Sequence, residues 1–211
     1  SMFTGLYPQH HAVTRDKPLA QEIRTLPELL KSAGYETAGF TGHTWWMQPE
    51  RGFGRGMDHY DNAPEMLRHI ADTQERLHAW LDQRSSHMPF IFFHAYDLHY
   101  KIRENGYDLP YEPGRGAPLT FAQPYLDQGA FQEGEKANLK ASELLKAARE
   151  GRITFDQNEK DALQALYDDT LHMVDAAIGQ FLERLKEKEL YDNALIIVTS
   201  DHGEGLGERG Y

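Results

Sequence analysis

The sequence predicts an α/β protein: a mostly parallel central sheet with helices on both faces. Three observations carry that expectation. Short apolar runs rich in β-branched or aromatic residues occur at 35–41, 89–96 and 194–198, the pattern of strands buried on both faces. Helical stretches with capping chemistry alternate with them, as βαβ units require. Each run also stops at polar residues: Thr41-Gly42-His43, Tyr96-Asp97-Leu98-His99-Tyr100-Lys101 and Asp201-His202. Ligands of open α/β sheets collect outside the carboxyl ends of strands, where these clusters fall.

The elements follow in order. Thr25-Leu26-Pro27-Glu28 is a capping box with proline in the first turn, and it opens a short helix that ends at Gly34. The strand at 35–41 comes next. Asn62-Ala63-Pro64-Glu65 repeats the capping device, and Met66, Ile70, Leu77, Trp80 and Leu81 follow at helical spacing. The second strand is 89–96. Asp156-Gln157-Asn158-Glu159 caps a long helix whose stripe is Leu163, Leu166, Tyr167, Val174, Ile178, Phe181, Leu182 and Leu185. The run Ala194-Leu195-Ile196-Ile197-Val198 closes the series as a third buried strand. Residues 104–134, rich in Gly, Pro and Tyr, exceed an ordinary connection and read as an insertion, either a lid over the site or a surface excursion. No internal repeat is present.

Composition narrows the function classes. The chain has 211 residues, enough for one domain with a real core. Its formal net charge of −11 argues against a nucleic-acid partner, because phosphate binding needs a basic face. A small anionic substrate remains compatible with that charge, since a bound cation overrides the global field locally. The chain has no cysteine, which excludes a disulfide scaffold and a thiolate zinc site without fixing the compartment. No run reaches the roughly 18 apolar residues of a membrane helix.

Asp beside His at a strand end supplies a carboxylate oxygen and an imidazole nitrogen, a donor set that suits Mn or Zn; the same pair also serves as a turn or capping element. Three polar strand tips at one sheet edge are the layout of an α/β active site, although no nucleophile with an adjacent base is visible. Bland roles compete for the other polar residues. His94, inside a strand, reads as a hydrogen-bonded core histidine. His10 and His11 read as loop residues, and Trp45-Trp46 as packing or a sugar platform. Lys186-Glu187-Lys188-Glu189 reads as a solvated helix end, and Lys101 and Arg103 as surface charges or anion contacts.

Over nearly its whole length the chain resembles the core of the sulfatase family, in the alkaline-phosphatase-like superfamily. Thr4-Gly5-Leu6-Tyr7-Pro8-Gln9-His10-His11-Ala12-Val13 looks like the segment after that family's nucleophile motif. Thr25 to Lys31 and Ala33 to Ala38 are similar to its helix and second strand, and Arg51-Gly52-Phe53-Gly54-Arg55-Gly56-Met57-Asp58 to its glycine-rich turn. Phe92 to His99 resembles its strand ending in Asp-Pro-His. The stretch from Tyr167 to Asp175, then Ile178-Gly179, Leu190 to Asn193 and Ser200-Asp201-His202-Gly203-Glu204, is the most specific match.

The resemblance implies hydrolysis of sulfate esters, with relatives acting on phosphate esters or phosphonates. It implies one divalent cation, calcium favoured and Mn or Zn possible for the His-containing pair, held here by Asp201 and His202. It implies that His99 contacts the sulfate or the leaving oxygen. His43 falls near the position of the family's lysine after the second strand, and Lys101 stands where a proline is usual after His99; both are candidate substrate contacts. The family's nucleophile and first metal acids are not in the sequence, so the chain reads as a partial catalytic domain over 1–211, an internal fragment inactive alone. A missing signal peptide therefore says nothing, and a periplasmic or secreted location stays compatible. Three functions remain open at this point: a sulfatase; a phosphodiesterase, phosphonate hydrolase or phosphoryl transferase; and a non-catalytic module keeping the fold. Oligomeric state is not legible.

Overall fold

The computed structural model describes residues 1–211 except 15, 43–46, 63–68, 85–87, 100–110, 112–117, 140 and 207–211, together with the side chains of 141 and 142. The chain forms two compact units: Ser1–Tyr96 with Arg184–Leu190, and Asp97–Glu183 with Tyr191–Tyr211.

The first unit holds α1 (Pro8–His11), α2 (Leu26–Ser32), β1 (Glu36–Thr41), β2 (His59–Asn62), α3 (Ile70–Gln83) and β3 (Pro89–His94). Its sheet has the order β2-β1-β3, with both pairings parallel. β1 is the central strand and the most buried, because it is covered by neighbours on both edges and by α2 and α3. Phe40 is fully buried there and meets Trp80 of α3 edge-on, at 5.8 Å between ring centroids. Burying a side chain of that size contributes about 1.5–3 kcal/mol. β3, with a neighbour on one side among the described residues, is only half-buried along its length.

Local chemistry explains the entry to this sheet. Thr25 Oγ1 accepts the Glu28 N–H at 3.3 Å while the Glu28 carboxylate accepts the Thr25 N–H at 2.8 Å, so the expected capping box forms. Arg55 then ties the glycine-rich turn to α2. It donates to the carbonyls of Ala20 (2.8 Å) and Gln21 (3.1 Å) and to the Glu28 carboxylate (3.1 Å). Gly56 passes so close that a Cβ there would lie 2.3 Å from the Glu28 nitrogen, and its φ of +79° is left-handed. Only glycine fits both conditions. Asp58 follows, accepting the Thr37 N–H at 3.1 Å and the Thr37 hydroxyl at 3.0 Å, and pairing with Lys31. These bonds set the register of β2, a strand that the sequence pattern did not reveal, because His59-Tyr60-Asp61-Asn62 carries no apolar run.

The second unit holds α4 (Gln123–Asp127), α5 (Ala141–Arg149) and most of α6 (Gln157–Glu187). Leu163 and Leu166 of α6 are fully buried against Leu144, Leu145, Ile153 and Phe155. The α6 cap forms as expected: Asp156 accepts the Glu159 N–H and Glu159 accepts the Asp156 N–H, both at 2.9 Å. Glu159 also pairs with Lys136, and only 4% of its side chain is exposed. Tyr111, Ala122, Ala130 and Phe131 of the 104–134 stretch belong to this core, while most of its other described residues are exposed.

One expectation fails. Residues 194–198 form no strand; Leu195, Ile197 and Val198 are 88%, 75% and 73% exposed. The apolar run has the composition of a buried strand, but a strand exists only where a neighbour supplies ladder hydrogen bonds, and the described sheet ends at β2 and β3. Asp201 and His202 therefore do not cap a strand of this sheet, and the expected three polar strand tips reduce to two, with the Thr41–Asn62 hydrogen bond (2.8 Å) joining β1 to β2 at that edge. α3 begins at Ile70 with His69 as its N-cap, while Asn62, the expected cap, ends β2; 63–68 lie outside the described residues.

Candidate active site

The second unit brings together two of the residues singled out from sequence. His99 lies just after the β3 segment and His202 in the final glycine-containing stretch, and their rings meet edge-on with centroids 6.4 Å apart at 81°. Asp201 lies beside them, its Oδ2 3.7 Å from His202 Nε2. The carboxylate also accepts the His202 N–H at 3.1 Å, a local turn that fixes the two side chains relative to each other. His202 Nδ1 lies 2.8 Å from the Gly203 carbonyl. A carbonyl only accepts, so Nδ1 carries the hydrogen and the Nε2 lone pair faces Asp201. The Gly203 carbonyl, with help from Asp201, moves the His202 imidazolium pKa upward.

The charges of this site are felt by two further groups. Burial pushes the Glu204 carboxyl upward, opposed by the fields of His99, His202 and Arg149. Tyr167 of α6 is raised by burial and by the charge of Glu204. Glu204 lay inside the motif read from sequence, but nothing in its spacing marked it as distinct from Asp201. Arg149, at the end of α5, gave no sequence signal, because its proximity is a product of tertiary packing.

Asp201 and His202 carry a carboxylate oxygen and an imidazole nitrogen, donor types that divalent cations take. The separation of 3.7 Å between Oδ2 and Nε2 lets both reach one ion at ordinary ligand distances of roughly 2.0–2.5 Å, and the tautomer of His202 leaves the correct nitrogen available. Both side chains are exposed, and among the described residues no third acid or histidine joins them to complete a cluster of three. His43 and Lys101, the candidate substrate contacts, lie outside the described residues, as do Trp45, Trp46 and Arg103.

His11 and His94 take packing roles, and His10 and His11 lie in α1 where a loop was expected. His11 Nδ1 accepts the Val13 N–H at 3.1 Å, and its Nε2 stands 3.2 Å from Ser1 Oγ. The His94 ring stacks beside Phe92 and Tyr96, at 6.2 and 6.3 Å between centroids.

A parallel sheet flanked by helices, together with its structural neighbours, places the protein in the alkaline phosphatase-like class of α/β folds. The family model described as Sulfatase matches residues 1–211. The chain belongs to the sulfatase family, a family of hydrolases. Its fold is similar to the phosphonate monoester hydrolase of Agrobacterium radiobacter, with a TM-score of 0.61 and 18% identity over 98% of this chain and 52% of that one. It is also similar to BT4656, solved in complex with its substrate D-glucosamine-2-N,6-O-disulfate, with a TM-score of 0.60 and 16% identity over 100% of this chain and 56% of that one. In sequence it is 27% identical, over 124 residues, to the multifunctional alkaline phosphatase superfamily protein PehA of Trinickia caryophylli, which covers 58% of this chain and 22% of PehA. The chain thus spans about half the length of these solved relatives and less of PehA.

Proposed function

We propose that the protein carrying this chain is a metal-dependent hydrolase of sulfate esters. The observation that carries the reading is the meeting of His99 with the Asp201–His202 pair in a chain of the sulfatase family. Asp201 Oδ2 and His202 Nε2 would hold one divalent cation. When bound, such an ion polarises ester oxygens and offsets charge as the bond to sulfur breaks. His99 is an imidazole within reach of the same volume and is assigned the protonation of the leaving oxygen. The Asp201 carboxylate accepts the His202 N–H, a bond that biases its orientation toward the histidine. Lys101 and His43 are proposed contacts to the anionic end of the substrate, by their chemistry. Calcium fits the carboxylate, and the imidazole favours Mn or Zn.

A second reading, hydrolysis of phosphonate monoesters or phosphodiesters on the same site, is favoured by the phosphonate monoester hydrolase among the structural neighbours. The test is hydrolysis of 4-nitrophenyl sulfate and of 4-nitrophenyl phenylphosphonate by the natural polypeptide that carries this chain, before and after chelation. Faster sulfate release that chelation abolishes supports the first reading, and preference for the phosphonate supports the second. If neither ester is cleaved and Asp201→Ala leaves the bound metal unchanged, the chain is a non-catalytic module and both readings fall.

A further inference from the structure

Asp201 and His202 do not end a strand of the described sheet, yet they stand against His99. Every residue from 192 to 203 is exposed, the Asp-His pair included. Such a stretch has little burial to offset the conformational entropy of fixing its backbone. Its own hydrogen bonds near the pair are local: the Thr199 hydroxyl to the Ser200 carbonyl, the His202 N–H to Asp201, and His202 Nδ1 to the Gly203 carbonyl. Bonds between adjacent residues do not place the pair relative to α5 or α6.

The chain turns inward immediately afterwards. Gly203 and Gly205 are exposed, with open space where a Cβ would stand, whereas Glu204 and Leu206 are partly buried. Leu206 packs against the core of the second unit, the cluster that holds Leu144 and Leu145 of α5 and Leu163 and Leu166 of α6. Glu204 lies in the fields of Arg149, at the end of α5, and of His99 and His202, and its own charge reaches Tyr167 of α6. Tyr167 belongs to the same core, meeting the buried Tyr111 edge-on at 5.4 Å between centroids.

We infer that Leu206 is a positioning residue: it anchors the final stretch to the core of the second unit and, with Glu204 facing Arg149, holds the Asp201–His202 pair against His99. Chain length decides which anchor matters. Four residues separate Leu206 from His202, a reach of at most about 14 Å when fully extended. The anchor on the other side, the partly buried Tyr191, is ten residues from Asp201 and leaves a reach of up to about 36 Å. With Leu206 in place the pair is confined to the neighbourhood of the core that carries α5 and α6; without it the pair explores a far larger volume and meets His99 less often. That this positioning serves ester cleavage rests on the hydrolase reading; the anchor itself does not.

The test is a nuclear Overhauser measurement on the chain with its histidine rings isotopically labelled. A peak between the ring protons of His99 and His202 is expected in the unmodified chain. Leu206→Ala should abolish it while the far-ultraviolet helical signal stays unchanged, and Leu206→Met, close in volume, should keep it. In the natural polypeptide, Leu206→Ala should lower ester turnover about tenfold but retain Mn²⁺ uptake, which needs only the two adjacent ligands; a merely structural lesion would lower both. Leu206→Met should restore turnover. No peak in the unmodified chain, a peak that survives Leu206→Ala, or full turnover in the folded Leu206→Ala protein would each overturn the proposal. If the natural polypeptide cleaves no ester, the hydrolase reading falls, and the ring-to-ring peak still decides the anchor.

Discussion

The imidazole rings of His99 and His202 stand edge-on, 6.4 Å between centroids, although most of the second unit's sequence lies between them. At that separation the two rings lie in edge-to-face range, so both imidazoles border the same small volume.

If Asp201 and His202 hold a cation, removing either donor should weaken divalent-ion uptake. His202→Ala is expected to lower affinity for Mn²⁺ by about tenfold or more, by titration calorimetry of the chain. An unchanged isotherm counts against the pair as ligands.

If His99 is the proton donor, His99→Asn in the natural polypeptide should lower turnover by about 10²–10⁴ while leaving cation uptake intact. Loss of both together points instead to a structural histidine. The comparison separates chemistry from metal binding, which His202→Ala alone does not.

The Asp169 carboxylate is expected to be the most expensive single polar group in the second unit. Asp169→Ala leaves three N–H donors at residues 120–122 without their acceptor, the one on Ala122 buried, and should lower stability by about 2–3 kcal/mol, read from chemical denaturation. Asp169→Asn, which keeps one acceptor oxygen, should cost less.

Gly56→Ala should destabilise the first unit by about 1–3 kcal/mol. The added methyl group collides with the backbone nitrogen of Glu28 and the φ of +79° penalises any side chain. The control is Gly151→Ala, which has a left-handed φ and no neighbour within 4 Å; it should lose only the backbone term and less stability.

The bond from Lys31 first, and then the Thr37 N–H and hydroxyl, hold Asp58 below its ordinary value of 3.8, against the opposing effect of burial. A carboxyl with a lowered folded pKa stabilises the fold above its unfolded value, and that contribution is lost as pH falls through the folded value. Stability from this group should therefore be constant through neutral pH and decline below about pH 4. Lys31→Met should shrink that acid-dependent part, seen as a flatter dependence of the melting temperature on pH. The pair is partly solvated, so the change is expected to be modest.

Much of the architecture was legible because it rests on local rules. The capping boxes at Thr25 and Asp156 depend on residues three apart, and the stripe of α6 depends on helical spacing, so both were readable from the chain. β1 and β3 were readable from their apolar, aromatic composition, although only β1 is buried along most of its length. β2 was missed because its polar residues gain their place from Asp58 and Thr37 across the sheet. The strand expected at 194–198 failed for the opposite reason: its composition was right, but pairing needs a partner strand that sequence composition does not name.

By itself the sequence determined the family, the capping boxes of α2 and α6, and the Asp201–His202 motif, since each is written in residues close together along the chain. Only the tertiary structure decided that His99 meets His202, that Glu204 and Arg149 share their field, that Asp169 locks α4 to α6, and that 194–198 stays open to solvent. Those are contacts between residues distant in sequence. The free energy of such contacts depends on which surfaces the folded chain brings together, a quantity that no local pattern encodes.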